Sequence, residues 1–193
     1  MMDVSRETAE RLSHFEALVQ KWNSQINLVA PDSLVDFRQR HLADGILLSE
    51  LACDQPGNWA DLGSGGGFPG IIISIFQPGR PLSLVESDGR KSAFLRTAIR
   101  ELGLGATRVV NDRIEAVSPL MAGNISARAL APLPRLLAYV DRHLSPNGTA
   151  WLIKGRRWEA EVDEARKMWN FNHIAHAGAN GTTILQVDGL QRA

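Results

Sequence analysis

The chain has 193 residues, 44% of them apolar and 22% charged, an ordinary globular composition that argues against extensive disorder. That length accommodates one well-cored domain with a small extension, and not two full domains. Lysine plus arginine equal aspartate plus glutamate at 21 each, so the formal net charge is zero. A dedicated nucleic-acid binder would more often be basic overall, and any contact with a polyanion must come from a local patch. The single cysteine, Cys53, excludes an internal disulfide and a thiolate zinc cluster, and no metal site is expected. Residues 1–10 are polar, with no apolar stretch of a secretory signal, and the longest apolar run, 70–76, is far below a membrane span. These features predict a soluble, cytoplasmic monomer with no membrane partner.

In chain order, two helical patterns come first. Leu12, Phe15, Leu18, Val19, Trp22 and Ile26 recur at helical spacing, with Ser5 available as N-cap and Glu7 in the first turn. Pro31 breaks the chain, and Asp32 or Ser33 is positioned to cap a second helix whose apolar stripe is Leu34, Phe37 and Leu48. His41 and Asp44 fall on that same face, where they must satisfy each other or something nearby. From about Asn58 the pattern changes. Short apolar runs predict strands at 59–63, 82–86, 107–110, 125–129, 149–153, 171–176 and 183–187, with helices at 70–76, 90–102, 133–144 and 158–167. Such alternation predicts a parallel sheet covered on both faces. The last two strands are joined by Gly178-Ala-Asn-Gly181 instead of a helix, so one of them should run antiparallel. The expected organisation is a helical extension over residues 1–50 packed on a core unit of residues 51–193.

The strongest local signal is Asp61-Leu-Gly63-Ser-Gly65-Gly66-Gly67-Phe68-Pro69-Gly70, following the first strand and opening a helix. Glycines let such a turn be tight and let backbone approach a ligand without a Cβ in the way. Pro69 suits the first helical turn, and free amides there favour an anionic or electron-rich group. Gly65-x-Gly67-x-x-Gly70 satisfies the dinucleotide fingerprint, so NAD is not excluded. Asp61 leading an Asp-x-Gly-x-Gly loop, with Glu86 ending the second strand to accept from ribose hydroxyls, favours S-adenosylmethionine. Glu86 by itself serves either nucleoside.

Several segments together are more specific: Lys21-Trp22-Asn23 with Asn27-Leu28, Arg40-His41-Leu-Ala-Asp44, the loop from Asp61 to Gly70, Arg128-Ala129 and Lys154-Gly155. Over residues 22–155 the chain resembles the bacterial 16S rRNA (guanine-N7) methyltransferases, also called the glucose-inhibited division protein B family. The resemblance implies a Rossmann-like class I S-adenosylmethionine-dependent methyltransferase: an α/β fold with a mostly parallel seven-stranded sheet, a C-terminal antiparallel hairpin and an N-terminal helical extension. It implies methyl transfer to N7 of the guanine at position 527 of 16S rRNA, in the 530 loop of the small ribosomal subunit or its assembly intermediate, leaving S-adenosylhomocysteine. By the same resemblance Gly63 and Phe68 hold the methionine and adenosine parts of the cofactor. Ile114 and Glu115 contact its adenine, and Arg128 belongs to the cofactor site and can face the substrate. The chain departs from the family's pattern at Gly45, where serine is frequent, and in its last strand, 182–187.

The chemistry fits the residues. Guanine N7 carries an in-plane lone pair and no proton, so no general base is required and positioning can supply most of the acceleration. Ser126-Ala-Arg128-Ala stands where enzymes acting on exocyclic amines place an Asn/Asp-Pro-Pro-aromatic motif. Arg128 is the expected positioning residue. It should not fork onto O6 and N7 in the reactive complex, because N7 is then the nucleophile; the cofactor carboxylate, O6 alone or a phosphate are its expected partners, and pairing with a structural carboxylate is the alternative. Lys154, Arg156 and Arg157 end the fifth strand at the carboxyl edge of the sheet, and with Arg40, His41 and Arg38 they could meet RNA phosphates. Three other readings stay open: a methyltransferase acting on another RNA or a small molecule, a nicotinamide-dependent oxidoreductase, and a non-catalytic ribosome-assembly factor. The oxidoreductase is disfavoured because no Tyr-x-x-x-Lys pair exists; the only tyrosine, Tyr139, is followed by His143.

Overall fold

The computed structural model describes residues 5–193; the expectation that the polar start of the chain is no secretory signal falls partly on residues 1–4, outside them. Helix α1 (Arg6–Asn23) begins where the sequence places its cap: the Ser5 hydroxyl accepts the Thr8 amide. Its Leu12, Phe15, Leu18 and Val19 form the buried stripe. At its end the Asn23 side chain accepts the amides of Leu28 and Val29 at 2.8 and 2.9 Å, which turns the chain back.

The second helix starts later than predicted. Residues Pro31–Ser33 form only a 3₁₀ turn, Arg38–Leu42 a π turn, and the α-helix proper, α2, runs Ala43–Leu51. Ser33 therefore caps nothing. Its hydroxyl donates to the Ala30 carbonyl at 2.6 Å and meets the ring of His41. The departure at Gly45 has a packing reason: a Cβ there would lie 2.5 Å from Ile72 Cδ1, so glycine lets α2 lie close against the next helix.

Strands β1 (Trp59–Leu62), β2 (Leu82–Val85), β3 (Thr107–Val110), β4 (Ala122–Arg128), β5 (Leu144–Lys154), β6 (Trp169–Ala177) and β7 (Thr183–Arg192) form one sheet in the order β3-β2-β1-β4-β5-β7-β6. The first five are mutually parallel, and β7 runs antiparallel between β5 and β6. That is the expected methyltransferase outline, with β7 as the reversed strand. The later strands are longer than predicted, because polar residues such as Asn170, Gln191 and Arg192 pair at an exposed edge where no apolar run marks them.

Strands β1, β2, β5 and β7 supply both faces of the sheet. Trp59, Leu84, Ile153 and Ile184 join one apolar cluster with α1, α2, α3 (Gly70–Phe76) and α4 (Gly89–Glu101). Their neighbours Ala60, Val85, Leu152 and Leu185 join the other with α5 (Leu133–His143) and α6 (Trp158–Ala165). This is the period-two alternation of a sheet buried on both sides. Order β2-β1-β4 reverses the chain direction of strand addition at β1/β4, and the crevice beyond the carboxyl ends of these strands is where an open α/β sheet takes its ligand.

Candidate functional site

At that crevice a cavity of about 330 Å³ is lined by Gly63 and Gly65 of the loop, Glu86 after β2, Ile114 and Glu115 after β3, and Arg128 at the end of β4. The structure thus brings together six of the predicted cofactor residues. Lys91, Asp112, Arg135 and Tyr139 also line it, and sequence reading missed them. Only the lone tyrosine carried a signal. Its hydroxyl donates to Glu115 at 2.7 Å and receives Arg135 Nε at 2.7 Å, tying α5 to the loop after β3 and holding Glu115 below the ordinary carboxylate range.

Glu86 is buried, and each of its oxygens accepts a backbone amide: Oε2 that of Gly65 and Oε1 that of Asp88, both at 2.8 Å. It therefore fixes the glycine loop to the end of β2 and still has lone pairs on the cavity side. Gly63 adopts φ +67°, and a Cβ there would stand 2.6 Å from Leu130 Cδ1, so the wall of the cavity is backbone. Four of the loop amides are already committed. Those of Gly63 and Ser64 donate to Val85, that of Gly65 to Glu86, and that of Gly67 to Ser64. A pyrophosphate would need such amides free. A nucleoside with ribose hydroxyls for Glu86, and with a carboxylate for the cations Lys91, Arg113, Arg128 and Arg135 of the lining, fits the cavity better, and S-adenosylmethionine has that chemistry.

Three predicted cofactor residues lie off this cavity. Asp61 is fully buried beneath it, its Oδ1 accepting the Ser126 hydroxyl at 2.6 Å while Ser126 in turn accepts Trp59 Nε1 at 2.9 Å. Burial pushes the Asp61 carboxyl up to about 6 against the lowering pull of Ser126, Ser64 and the Gly70 amide, and no donor meets Oδ2 with hydrogen-bond geometry. Gly67 turns the loop with φ +89°. Phe68, which precedes Pro69 through a cis peptide, packs against Phe15, Phe37 and His41 and forms the floor under Arg128, whose guanidinium carbon lies 4.9 Å from its ring centre.

Arg128 is held from the N-terminal side of the chain. It donates to His41 Nδ1 at 3.1 Å and to the Arg40 carbonyl at 3.3 Å, where the π turn brings that carbonyl within reach. With Nδ1 accepting, His41 carries its proton on Nε2 and donates it to Ser33 Oγ at 2.7 Å. Burial, then the charges of Arg128 and Arg40, push His41 down to about 4, so the ring is neutral at physiological pH and remains an acceptor for Arg128. His41 and Asp44 are not paired with each other. Asp44 Oδ1 accepts the Ala179 amide and Thr182 Oγ1, both at 2.8 Å, joining α2 to the turn before β7. No carboxylate lies within ion-pair distance of Arg128 among the described residues, so the structural-pair alternative is not what the geometry shows.

Arg128 and Ala129 also line a second cavity of about 500 Å³, shared with Arg40, His41, Asp44, Lys154, Glu161 and Thr182. Beyond it Arg40 and His41 border a third, of about 660 Å³, with Arg156 and Asn180. The predicted basic group divides. Lys154 is buried, paired with Glu161 at 2.6 Å and donating to the Ala131 carbonyl, and Arg38 is paired with Glu16 at 2.7 Å. Arg40, Arg156 and Arg157 are exposed and carry no ion pair among the described residues. Arg157 borders a separate recess with Pro132 and Glu161.

A doubly covered, mostly parallel sheet with a reversed β7, a glycine loop after β1 and a ribose-facing acid after β2 define a class I S-adenosylmethionine-dependent methyltransferase. Solved structures share the architecture. A methyltransferase from Geobacter sulfurreducens superposes with a TM-score of 0.64 over 97% of this chain and 90% of its own at 12% identity. M. jannaschii TYW2, solved in complex with AdoMet, gives 0.58 over 78% and 77% at 12% identity. Within that class, residues 8–184 match the family model described as rRNA small subunit methyltransferase G, and the chain belongs to that family. Its relatives of that name include the Paracoccus denitrificans protein, 54% identical over the whole of both chains, and the Gluconobacter oxydans protein, 44% identical over 100% of this chain and 99% of its own.

Proposed function

We propose that the chain transfers the methyl group of S-adenosylmethionine to N7 of the guanine at position 527 of 16S rRNA, in the small ribosomal subunit or an assembly intermediate. One observation carries this reading: the acceptor cavity adjoins the cofactor cavity at Arg128 and Ala129, so a base held there lies against the wall that faces the cofactor. His41 Nδ1 accepts from Arg128, Asp44 Oδ1 from Ala179 and Thr182, and Glu161 Oε2 from Lys154 and the Leu133 amide. Guanine N7 carries a lone pair and no proton, so transfer to it asks none of these groups to act as a base. The cofactor supplies an activated methyl group. Glu86 holds the ribose, and Arg128 orients the base or the cofactor carboxylate.

Borohydride reduction and aniline scission, mapped by primer extension on 16S rRNA, test it. A strand break at position 527 is expected when the protein is present and none when the gene is deleted; a break that persists without the gene overturns the reading, and restoration by wild type but not by Glu86→Ala distinguishes an enzyme from an assembly factor. The exposed Arg156 beside Arg40 is assigned to RNA phosphate. Its replacement by alanine should flatten the plot of log affinity against log salt by roughly one unit, because one fewer counterion is released; an unchanged slope removes Arg156 from the interface. No helix among the described residues is long and apolar enough to cross a membrane, which agrees with action on ribosomal particles in the cytoplasm.

A further inference from the structure

Asp44 stands in the first turn of α2, is only 3% exposed, and lines the acceptor cavity. Oδ1 is satisfied by the Ala179 amide and the Thr182 hydroxyl. Oδ2 accepts from no group among the described residues, and it is not one of the side-chain atoms sealed from solvent, so its opening is onto that cavity. No arginine, lysine or histidine nitrogen pairs with it among the described residues; Arg128, whose guanidinium feels the Asp44 charge, is turned to His41 and Arg40. A buried carboxylate oxygen without a donor is costly, and a protein keeps one where a ligand brings the donor.

We infer that Asp44 is the residue that selects guanine, accepting from N1–H and the N2 amine of the acceptor base. The inference rests on the N7 reading above. A purine whose N7 points to the shared wall at Arg128 and Ala129 turns its opposite edge, carrying N1 and C2, away from the cofactor cavity. Guanine presents two donors on that edge. Adenine presents a bare acceptor at N1 and would meet the carboxylate with a lone pair. Glu161, the other carboxylate of this cavity, is held by Lys154 at 2.6 Å and by the Leu133 amide and is not free for the role. Arg128 offers donors only, and so suits O6 and not this edge.

Small subunits reconstituted with 16S rRNA carrying guanosine or inosine at position 527 test the assignment, since inosine keeps N7 and N1–H and lacks only the N2 amine. Wild-type kcat/KM should fall about 10- to 100-fold from guanosine to inosine. Asp44→Asn keeps an oxygen for Ala179 and Thr182 and places a donor where Oδ2 stood. It should methylate guanosine about 100-fold more slowly and lose the preference over inosine, while its thermal shift with S-adenosylhomocysteine stays that of wild type. Equal wild-type rates on the two bases overturn the role of Asp44, and this measurement decides even if Asp44→Asn does not fold. Transfer to neither base, by a protein that binds S-adenosylhomocysteine, overturns the N7 reading instead.

Discussion

Glu86→Gln, a change of one atom, should weaken binding of S-adenosylhomocysteine about 100- to 1,000-fold, nearly as much as Glu86→Ala, when measured by isothermal titration calorimetry. Both carboxylate oxygens receive a backbone amide, Gly65 on one and Asp88 on the other. A side-chain amide has one oxygen. Whichever way it turns, its own NH₂ faces a backbone N–H at hydrogen-bonding distance, and one donor is stranded in a buried place. The loop then parts from the end of β2, and the ribose loses its acceptor in the same step. Alanine strands both amides but adds no opposed donor, so the two variants should lie within about tenfold of each other. Affinity for Glu86→Gln within a few-fold of wild type would mean that the loop is held by something else.

Asp61→Asn should stabilise the protein at pH 7.5, by about 1–2 kcal/mol in urea denaturation, with the difference vanishing near pH 5. The folded-state carboxyl is raised from 3.8 to about 6 by complete burial, and no donor meets its Oδ2 with hydrogen-bond geometry. The folded chain therefore holds this proton more tightly than the unfolded chain. Stability is fully present below pH 3.8 and is lost as pH rises through 6, a loss of about 3 kcal/mol for a shift of that size. Asparagine carries no charge to bury; its unsatisfied NH₂ returns about 1–2 kcal/mol of the gain. His41 has the opposite sign: held near 4 when folded, it refuses a proton that the unfolded chain takes up below about 6.5, so stability falls with acid over that range. The two slopes oppose each other between pH 4 and 6 in the wild type. Removing Asp61's should leave a steeper acid loss. A variant less stable than wild type at pH 7.5 would show that Asp61 is held by a donor outside the Ser126 bond.

Much of this protein was legible without coordinates where local rules act alone. The Ser5 cap, the period-two runs that became β1, β2 and β3, the glycine loop and the acid after β2 each follow from backbone geometry and apolar spacing within a few residues. The signal failed where distant segments decide. The stretch 31–42 carries cap residues and an apolar stripe, and still forms a 3₁₀ turn and a π turn, because His41 is drawn to Ser33 on one side and to Arg128, 87 residues further on, on the other.

By itself, then, the sequence determined a mostly parallel sheet ending in an antiparallel pair, the cofactor crevice and the family, since these rest on apolar patterning, turn chemistry and motif spacing. Only the tertiary structure decided what each polar side chain does. It put Asp61 beneath the site, withdrew Lys154 and Arg38 into ion pairs, and set His41 as an acceptor for Arg128. The physical reason is that a polar group takes its role from the donors and acceptors within about 3 Å of it, and those arrive from elements far away in the chain.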